Sequence, residues 1–83
     1  MIGATPAQLD RQFGTARLDV REGDARKLQY RGAACVLDVY LYPGGAAGAT
    51  NAELRATYAE ARRASDGKDA DRAACVIALR QRP

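Results

Sequence analysis

The sequence of 83 residues contains no histidine and a single serine, Ser65. Without histidine, the usual pairing of a nucleophile with a general base cannot be assembled, and no G-x-S-x-G motif surrounds the serine. The carboxylates occur in charged, alternating contexts that are typical of solvated faces rather than of a catalytic acid pair, as at Asp10, Asp19, Glu22 and Asp38. We therefore expect a protein that is not an enzyme.

Cysteine is also scarce, since Cys35 and Cys75 are the only two, and each lies in a copy of the tetrapeptide AACV. The flanking residues do not match, so the copies are not a tandem repeat. Two cysteines without histidine fall short of the four ligands of a structural zinc site, and their spacing is not that of a C-x-x-C redox centre. We expect no metal and no cofactor. A structural disulfide or two buried free thiols remain, and we favour the disulfide, which would place the protein in an oxidising compartment.

Long apolar runs are absent, because no stretch approaches the roughly 20 residues that span a bilayer. The opening residues, Met1 to Ala4, lack the basic segment and apolar run of a signal peptide and lead into a helix start. We interpret residues 1–83 as one small domain of a mature protein. Membrane anchoring through a segment outside this chain stays open.

The apolar residues that are present build a thin core. They make up 47% of the sequence, but eighteen of them are alanines, and the aromatics are one phenylalanine and four tyrosines with no tryptophan. At this size, hydrophobic burial only roughly balances the cost of ordering the chain, about 1.5 kcal/mol per residue. A disulfide would add about 4 kcal/mol in the chain-entropy model, which could decide whether the domain folds.

The N-terminal signals predict a short helix over residues 6–13. Thr5 can cap it, Pro6 suits the first helical position, Gln8 completes a capping box and Gly14 ends it.

Three segments then alternate apolar and polar residues with the period of strands, namely ARLDVRE (16–22), RKLQYRG (26–32) and CVLDVYLY (35–42). The short link between the first two, around Gly23, predicts a hairpin. The third segment is apolar on both faces and therefore suits a central strand.

The second half of the chain is harder to interpret. The glycine- and alanine-rich stretch 44–51 predicts a loop, and it lacks the lysine of a phosphate-binding loop. Residues 52–64 have the composition of a helix, although alternation there also fits a strand. From Asp69, which we take as its cap, a second helix is predicted, so that a disulfide from Cys75 to the strand cysteine Cys35 would tie helix to sheet.

A sheet of these strands would expose a face that mixes basic and aromatic residues, namely Arg17, Arg21, Lys27, Arg31, Val36, Tyr40 and Tyr42. Such a face could stack single-stranded nucleic acid, contact a protein, or be an ordinary solvated face with tyrosines lying among arginine stems. The net charge of +3 is modest, no basic run exists, and the aromatic motif of RNA-recognition sheets is missing. We therefore prefer protein contact to nucleic acid, with Arg17, Arg21, Lys27, Arg31, Tyr40 and Tyr42 as candidate contacts.

Several short motifs occur in an order that resembles small proteobacterial envelope proteins related to the SmpA/OmlA domain, in particular an uncharacterised alphaproteobacterial branch. They are Gly3, Thr5, Leu9, Phe13-Gly14, REG at Arg21 to Gly23, LQYRG at Leu28 to Gly32 and CVLDVYLY at Cys35 to Tyr42. That group includes a lipoprotein of the outer-membrane β-barrel assembly machinery, and its fold is shared with β-lactamase inhibitor proteins. This chain departs from the pattern with Ala16 in place of a proline and Leu28 in place of a tryptophan.

The resemblance implies an N-terminal helix packed on an antiparallel sheet, and it favours a strand at 52–64 over the helix that composition favours. It also implies a location in the periplasm or at the outer membrane. Together we expect an α+β domain with a short N-terminal helix, an antiparallel sheet of three to four strands and a C-terminal helix on one sheet face. Its expected role is that of a scaffold that binds another envelope protein, with inhibition of an exported enzyme as the alternative.

Overall fold

The chain folds as an α+β unit of two helices and four strands, seen in a computed structural model that describes residues 2–43 and 54–80. The elements in chain order are α1 (Pro6–Phe13), β1 (Leu18–Glu22), β2 (Ala25–Arg31), β3 (Cys35–Pro43), β4 (Leu54–Arg63) and α2 (Arg72–Arg80). The strands form one antiparallel sheet in the order β1-β2-β3-β4, and both helices lie on the same face of it. The predicted fold class is confirmed. The predicted loop at 44–51 lies outside the described residues.

Local capping sets the bounds of α1. The Thr5 hydroxyl accepts a hydrogen bond from the Gln8 amide at 3.2 Å, and the Gln8 side chain accepts one from the Thr5 amide at 2.9 Å. Gly14 ends the helix with a φ of 84°, which favours glycine. Leu9 and Phe13 are the buried residues of the helix, and the Phe13 ring packs on Tyr30 of β2 with 5.2 Å between ring centroids.

A two-residue turn joins β1 and β2. Glu22 pairs with Ala25, leaving Gly23 and Asp24 in the turn, and Gly23 has a φ of 61°. Because Asp24 keeps a negative φ, the turn matches type II′, whose twist suits a hairpin. This register places Asp19, rather than Leu18 or Val20, opposite the buried Leu28.

The segment with helical composition forms strand β4, as the resemblance implied. Its pairing with β3 shifts register between Tyr40 and Leu41, where Tyr58 and Ala56 are their partners and Thr57 is the extra residue of a β-bulge. The bulge lets Ala56 and Ala59 both face the core, which strict alternation would forbid. Long-range pairing therefore overrides the helix propensity of these residues.

The core lies between the sheet and the two helices, and the disulfide crosses it. Cys35 of β3 and Cys75 of α2 are bonded, with Cα atoms 5.8 Å apart, and both are buried. The predicted pairing is confirmed and the free-thiol alternative is wrong. Helix α2 buries little else than Cys75 and Leu79, so the bridge supplies much of its attachment to the sheet.

The cap of α2 differs from the prediction. The carboxylate of Asp71 accepts a hydrogen bond from the Ala74 amide at 3.0 Å, which is the geometry of an N-cap. Asp69, the predicted cap, instead forms an isolated bridge with Arg62 of β4. Backbone hydrogen bonds pair Ala70 with Ala61 and Lys68 with Arg63, and they keep this segment extended beside β4. The helix cap therefore lies two residues later than predicted.

Candidate functional site

The sheet face that α1 and α2 leave uncovered carries the candidate site, and we call it the open face. Residues directly opposite each other in an antiparallel ladder share a face, so the strand register assigns its members. They are Leu18, Val20 and Glu22 of β1, Ala25, Lys27, Gln29 and Arg31 of β2, Val36, Asp38, Tyr40 and Tyr42 of β3, and Arg55, Tyr58, Glu60 and Arg62 of β4.

The structure brings together four of the six predicted contact residues. Lys27, Arg31, Tyr40 and Tyr42 lie on the open face. The placement of Arg21 there is wrong, because Arg21 pairs with Arg26, which in turn lies opposite the buried Leu41.

Arg17 also departs from the expectation. It precedes β1, and its backbone amide donates to the Gln29 carbonyl at 2.7 Å beside the Leu18–Gln29 pair, so it does not take a regular position in the ladder. The cause of both differences is the turn length, because a two-residue hairpin fixes which residues of β1 face the helices.

The apolar residues of β1 consequently lie on the open face rather than on the face that the helices cover. Leu18, which is 40% exposed, and Val20 add apolar surface to the open face. The helices pack mainly over β3 and β4, so the other side of β1 is wet and carries an ion pair. There the Arg26 guanidinium binds the Asp19 carboxylate through both oxygens, at 2.7 and 2.5 Å, and this hydrogen bonding lowers the pKa of Asp19.

Three tyrosines, Tyr40, Tyr42 and Tyr58, form what we call the tyrosine cluster at one end of the open face. Tyr40 and Tyr58 meet edge to face with centroids 5.6 Å apart. Tyr42 and Tyr58 are 46% and 45% exposed, which is high for large aromatic side chains. The Lys27 ammonium lies 5.6 Å from the centre of the Tyr40 ring, a cation–π distance.

Tyr58 and Glu60 of β4 belong to this site but were missed at the level of sequence. The Tyr58 hydroxyl donates a hydrogen bond to the Glu60 carboxylate at 2.8 Å, and this bond raises the pKa of Tyr58. A signal was available, since Tyr58 and Glu60 alternate with the small residues Ala59 and Ala61. Once the segment is taken as a strand, the alanines suit the helix-covered face and the larger residues suit the open one.

Asp38 fixes the centre of the open face. Its side chain is 1% exposed, and its carboxylate accepts hydrogen bonds from Gln29 at 2.9 Å and from the Arg62 guanidinium at 2.6 Å. These contacts link β2, β3 and β4 across the face. The carboxylate is thus covered and satisfied by the protein itself, which makes it a structural group rather than a contact for a partner.

Comparison of the chain with protein-family models, with curated proteins and with solved structures gives no match. The relation to the SmpA/OmlA domain therefore stays a prediction. In the two described stretches, no group of three or more histidine, cysteine, aspartate or glutamate side chains is arranged to hold a metal ion.

Two observations bear on location. The disulfide fits an extracytoplasmic protein, because such bonds persist mainly in oxidising compartments. None of the helices in residues 2–43 and 54–80 is long and apolar enough to cross a membrane.

Proposed function

We propose that this domain binds another protein of the bacterial cell envelope through its open face and has no catalytic role of its own. The observation that carries the proposal is the tyrosine cluster with its exposed ring surfaces. Tyrosine and arginine are enriched in the energetically important parts of protein interfaces. A rigid sheet that presents them loses little side-chain freedom on binding, which favours this face over the helical one.

The charge pattern supports a protein partner over nucleic acid. Lys27, Arg31 and Arg62 are interspersed with Glu22, Asp38 and Glu60, and Arg62 is already paired with Asp38. A groove that tracks a phosphate backbone needs an uninterrupted line of positive charge. Alternating signs instead suit complementary pairing with a mixed protein surface.

For location, we propose the periplasm or the periplasmic side of the outer membrane. The disulfide supports an oxidising compartment, and the motif order at Phe13-Gly14, Leu28 to Gly32 and Cys35 to Tyr42 supports the envelope. Anchoring of the domain to a membrane through a segment outside this chain is compatible with the proposal.

Site-specific photo-crosslinking in the cells that make the protein tests this function. A photoreactive phenylalanine analogue replaces Tyr42 on the open face or, as the matched control, Ile77, which is 53% exposed on α2. We expect one discrete heavier product from position 42 and none from position 77. A product from position 77 alone, or none from either, would contradict the proposal. The identity of the captured protein also separates the two roles, since an exported enzyme that loses activity in the complex would indicate an inhibitor.

A further inference from the structure

Four residues of the open face surround one shallow cavity of about 290 Å³, lined by Tyr40, Tyr42, Tyr58 and Glu60. Three of its four walls are aromatic rings and the fourth is a carboxylate. The rings come from two neighbouring strands whose pairing is fixed, since Tyr40 lies directly opposite Tyr58. The cavity is therefore a formed feature of the sheet rather than a chance arrangement of loop side chains.

The electrostatics of this cavity favour a cation. Aromatic rings present a negative face, and Glu60 adds a full negative charge beside them. Within residues 2–43 and 54–80, Glu60 accepts the Tyr58 hydroxyl, and no basic side chain lies within salt-bridge distance of it.

One cationic side chain of the protein lies over a ring of this cavity, but none in the described part of the chain fills the cavity. The Lys27 ammonium lies over the Tyr40 ring, and Tyr42 and Tyr58 keep exposed ring surface. Arg55 lies opposite Tyr42 in the register, but its guanidinium donates to the Gly3 carbonyl at 2.9 Å, and it does not line the cavity.

We propose that this cavity binds the guanidinium group of an arginine side chain presented by the partner protein. The inference rests on the proposed function, because it names the chemistry that the open face would recognise. Arginine suits the site better than lysine, since its planar group can stack on a tyrosine ring while its N–H groups bind the Glu60 carboxylate in a fork. An ammonium ion is more strongly hydrated and makes only one of these contacts well.

Titration with small probes, followed through the tyrosine ring signals by NMR at low salt, tests the site directly. The probe is N-acetyl-arginine amide, and its control is the citrulline analogue, which has the same shape without the charge. We expect saturable shifts of the Tyr42 and Tyr58 rings with arginine and none with citrulline. Glu60→Gln keeps an acceptor for the Tyr58 hydroxyl and should weaken arginine binding about threefold, as expected for the loss of an exposed ion pair. Glu22→Gln, which removes an exposed charge elsewhere on the face, should leave binding unchanged.

Equal shifts from arginine and citrulline, or Glu60→Gln binding as tightly as the unchanged protein, would overturn the inference. A circular dichroism spectrum of each variant shows whether it is folded, and the comparison of arginine with citrulline on the unchanged protein decides the inference if a variant is not. Selective arginine binding without crosslinking from position 42 would reject the proposed function and keep the cation site. Crosslinking that Glu60→Gln leaves unchanged, together with failed probe selectivity, would reject the cation site and keep the function.

Discussion

Replacing both cysteines with alanine removes the covalent tie between β3 and α2, and the loss of stability should be large. The two residues are 40 positions apart, and a loop of that length corresponds to about 4 kcal/mol in the chain-entropy model. Small domains of this size are stable by roughly 4 to 12 kcal/mol in total. The bridge thus contributes a third or more of the folding free energy.

The structure also predicts where the loss is felt first. Helix α2 has Cys75 and Leu79 as its buried residues, whereas β3 lies in the middle of the sheet and is paired on both sides. Without the bridge, Leu79 is the one remaining fully buried side chain of the helix, beside the partly buried Val76 and hydrogen bonds from Arg72 and Arg80. We therefore expect amide protons of α2 to lose protection from hydrogen exchange before those of β3 do.

The assay is urea unfolding followed by circular dichroism and tyrosine fluorescence. We expect the free energy of unfolding of Cys35→Ala/Cys75→Ala to be about 4 kcal/mol lower than that of the oxidised protein. Its melting temperature should be lower by on the order of 20 °C. Dithiothreitol should destabilise the unchanged protein and have no effect on the double variant. A difference below about 1 kcal/mol, or equal exchange protection of α2 in both proteins, would refute the reasoning.

Three further substitutions and one binding measurement test other parts of the structure. Burial and the hydrogen bond to Asp10 raise the pKa of Tyr30 from 10.0, so the stability that the neutral phenol contributes is fully present below pH 10. Above pH 10 the free energy of unfolding should decline by up to about 1.4 kcal/mol per pH unit. Tyr30→Phe should flatten that decline in urea unfolding across alkaline pH, and an unchanged slope would contradict the prediction. Asp38→Asn should cost about 1 to 2 kcal/mol, because Arg62 loses its buried partner but is itself 43% exposed and can rehydrate; full stability in urea would argue against a structural role. Gly23→Ala should cost about 1 kcal/mol through the left-handed backbone alone, since a Cβ there meets nothing within 4 Å, and an unchanged unfolding midpoint would be inconsistent with the type II′ turn. Fluorescence anisotropy with a labelled oligonucleotide should detect no binding at physiological salt, whereas affinity that falls steeply with salt would favour a nucleic-acid partner.

The predictable part of the fold is what nearby residues determine. The capping box at Thr5 and Gln8 and the stop at Gly14 involve neighbours in sequence, and α1 has the predicted bounds. Strand β3 was also recognisable, because apolar residues on both of its faces indicate a central position. The disulfide followed from elimination and from the thin core.

The errors arose where one element depends on another. The face of β1 depends on the length of the turn at Gly23, and a change of one residue would exchange Leu18 and Val20 for Asp19 and Arg21. The start of α2 depends on backbone pairing that carries the chain past Asp69. Neither interaction is visible in a local pattern.

For the same reason, only two of the four residues that line the cavity were predicted. Tyr40 and Tyr42 follow from the alternation of a single strand. Tyr58 and Glu60 reach the same surface only because β4 pairs with β3 through the bulge at Thr57. The mixed aromatic and acidic character of the cavity is thus a property of two strands in register.

The most direct test is whether Cys35 and Cys75 are joined in the cells that make the protein. Cells are lysed in denaturant with an excess of iodoacetamide, and the intact mass of the protein is measured before and after reduction. A joined pair predicts no alkylation before reduction and two added groups after reduction followed by a second treatment. Two groups added in the first step would show free thiols and would contradict both the covalent tie of α2 to the sheet and the oxidising compartment.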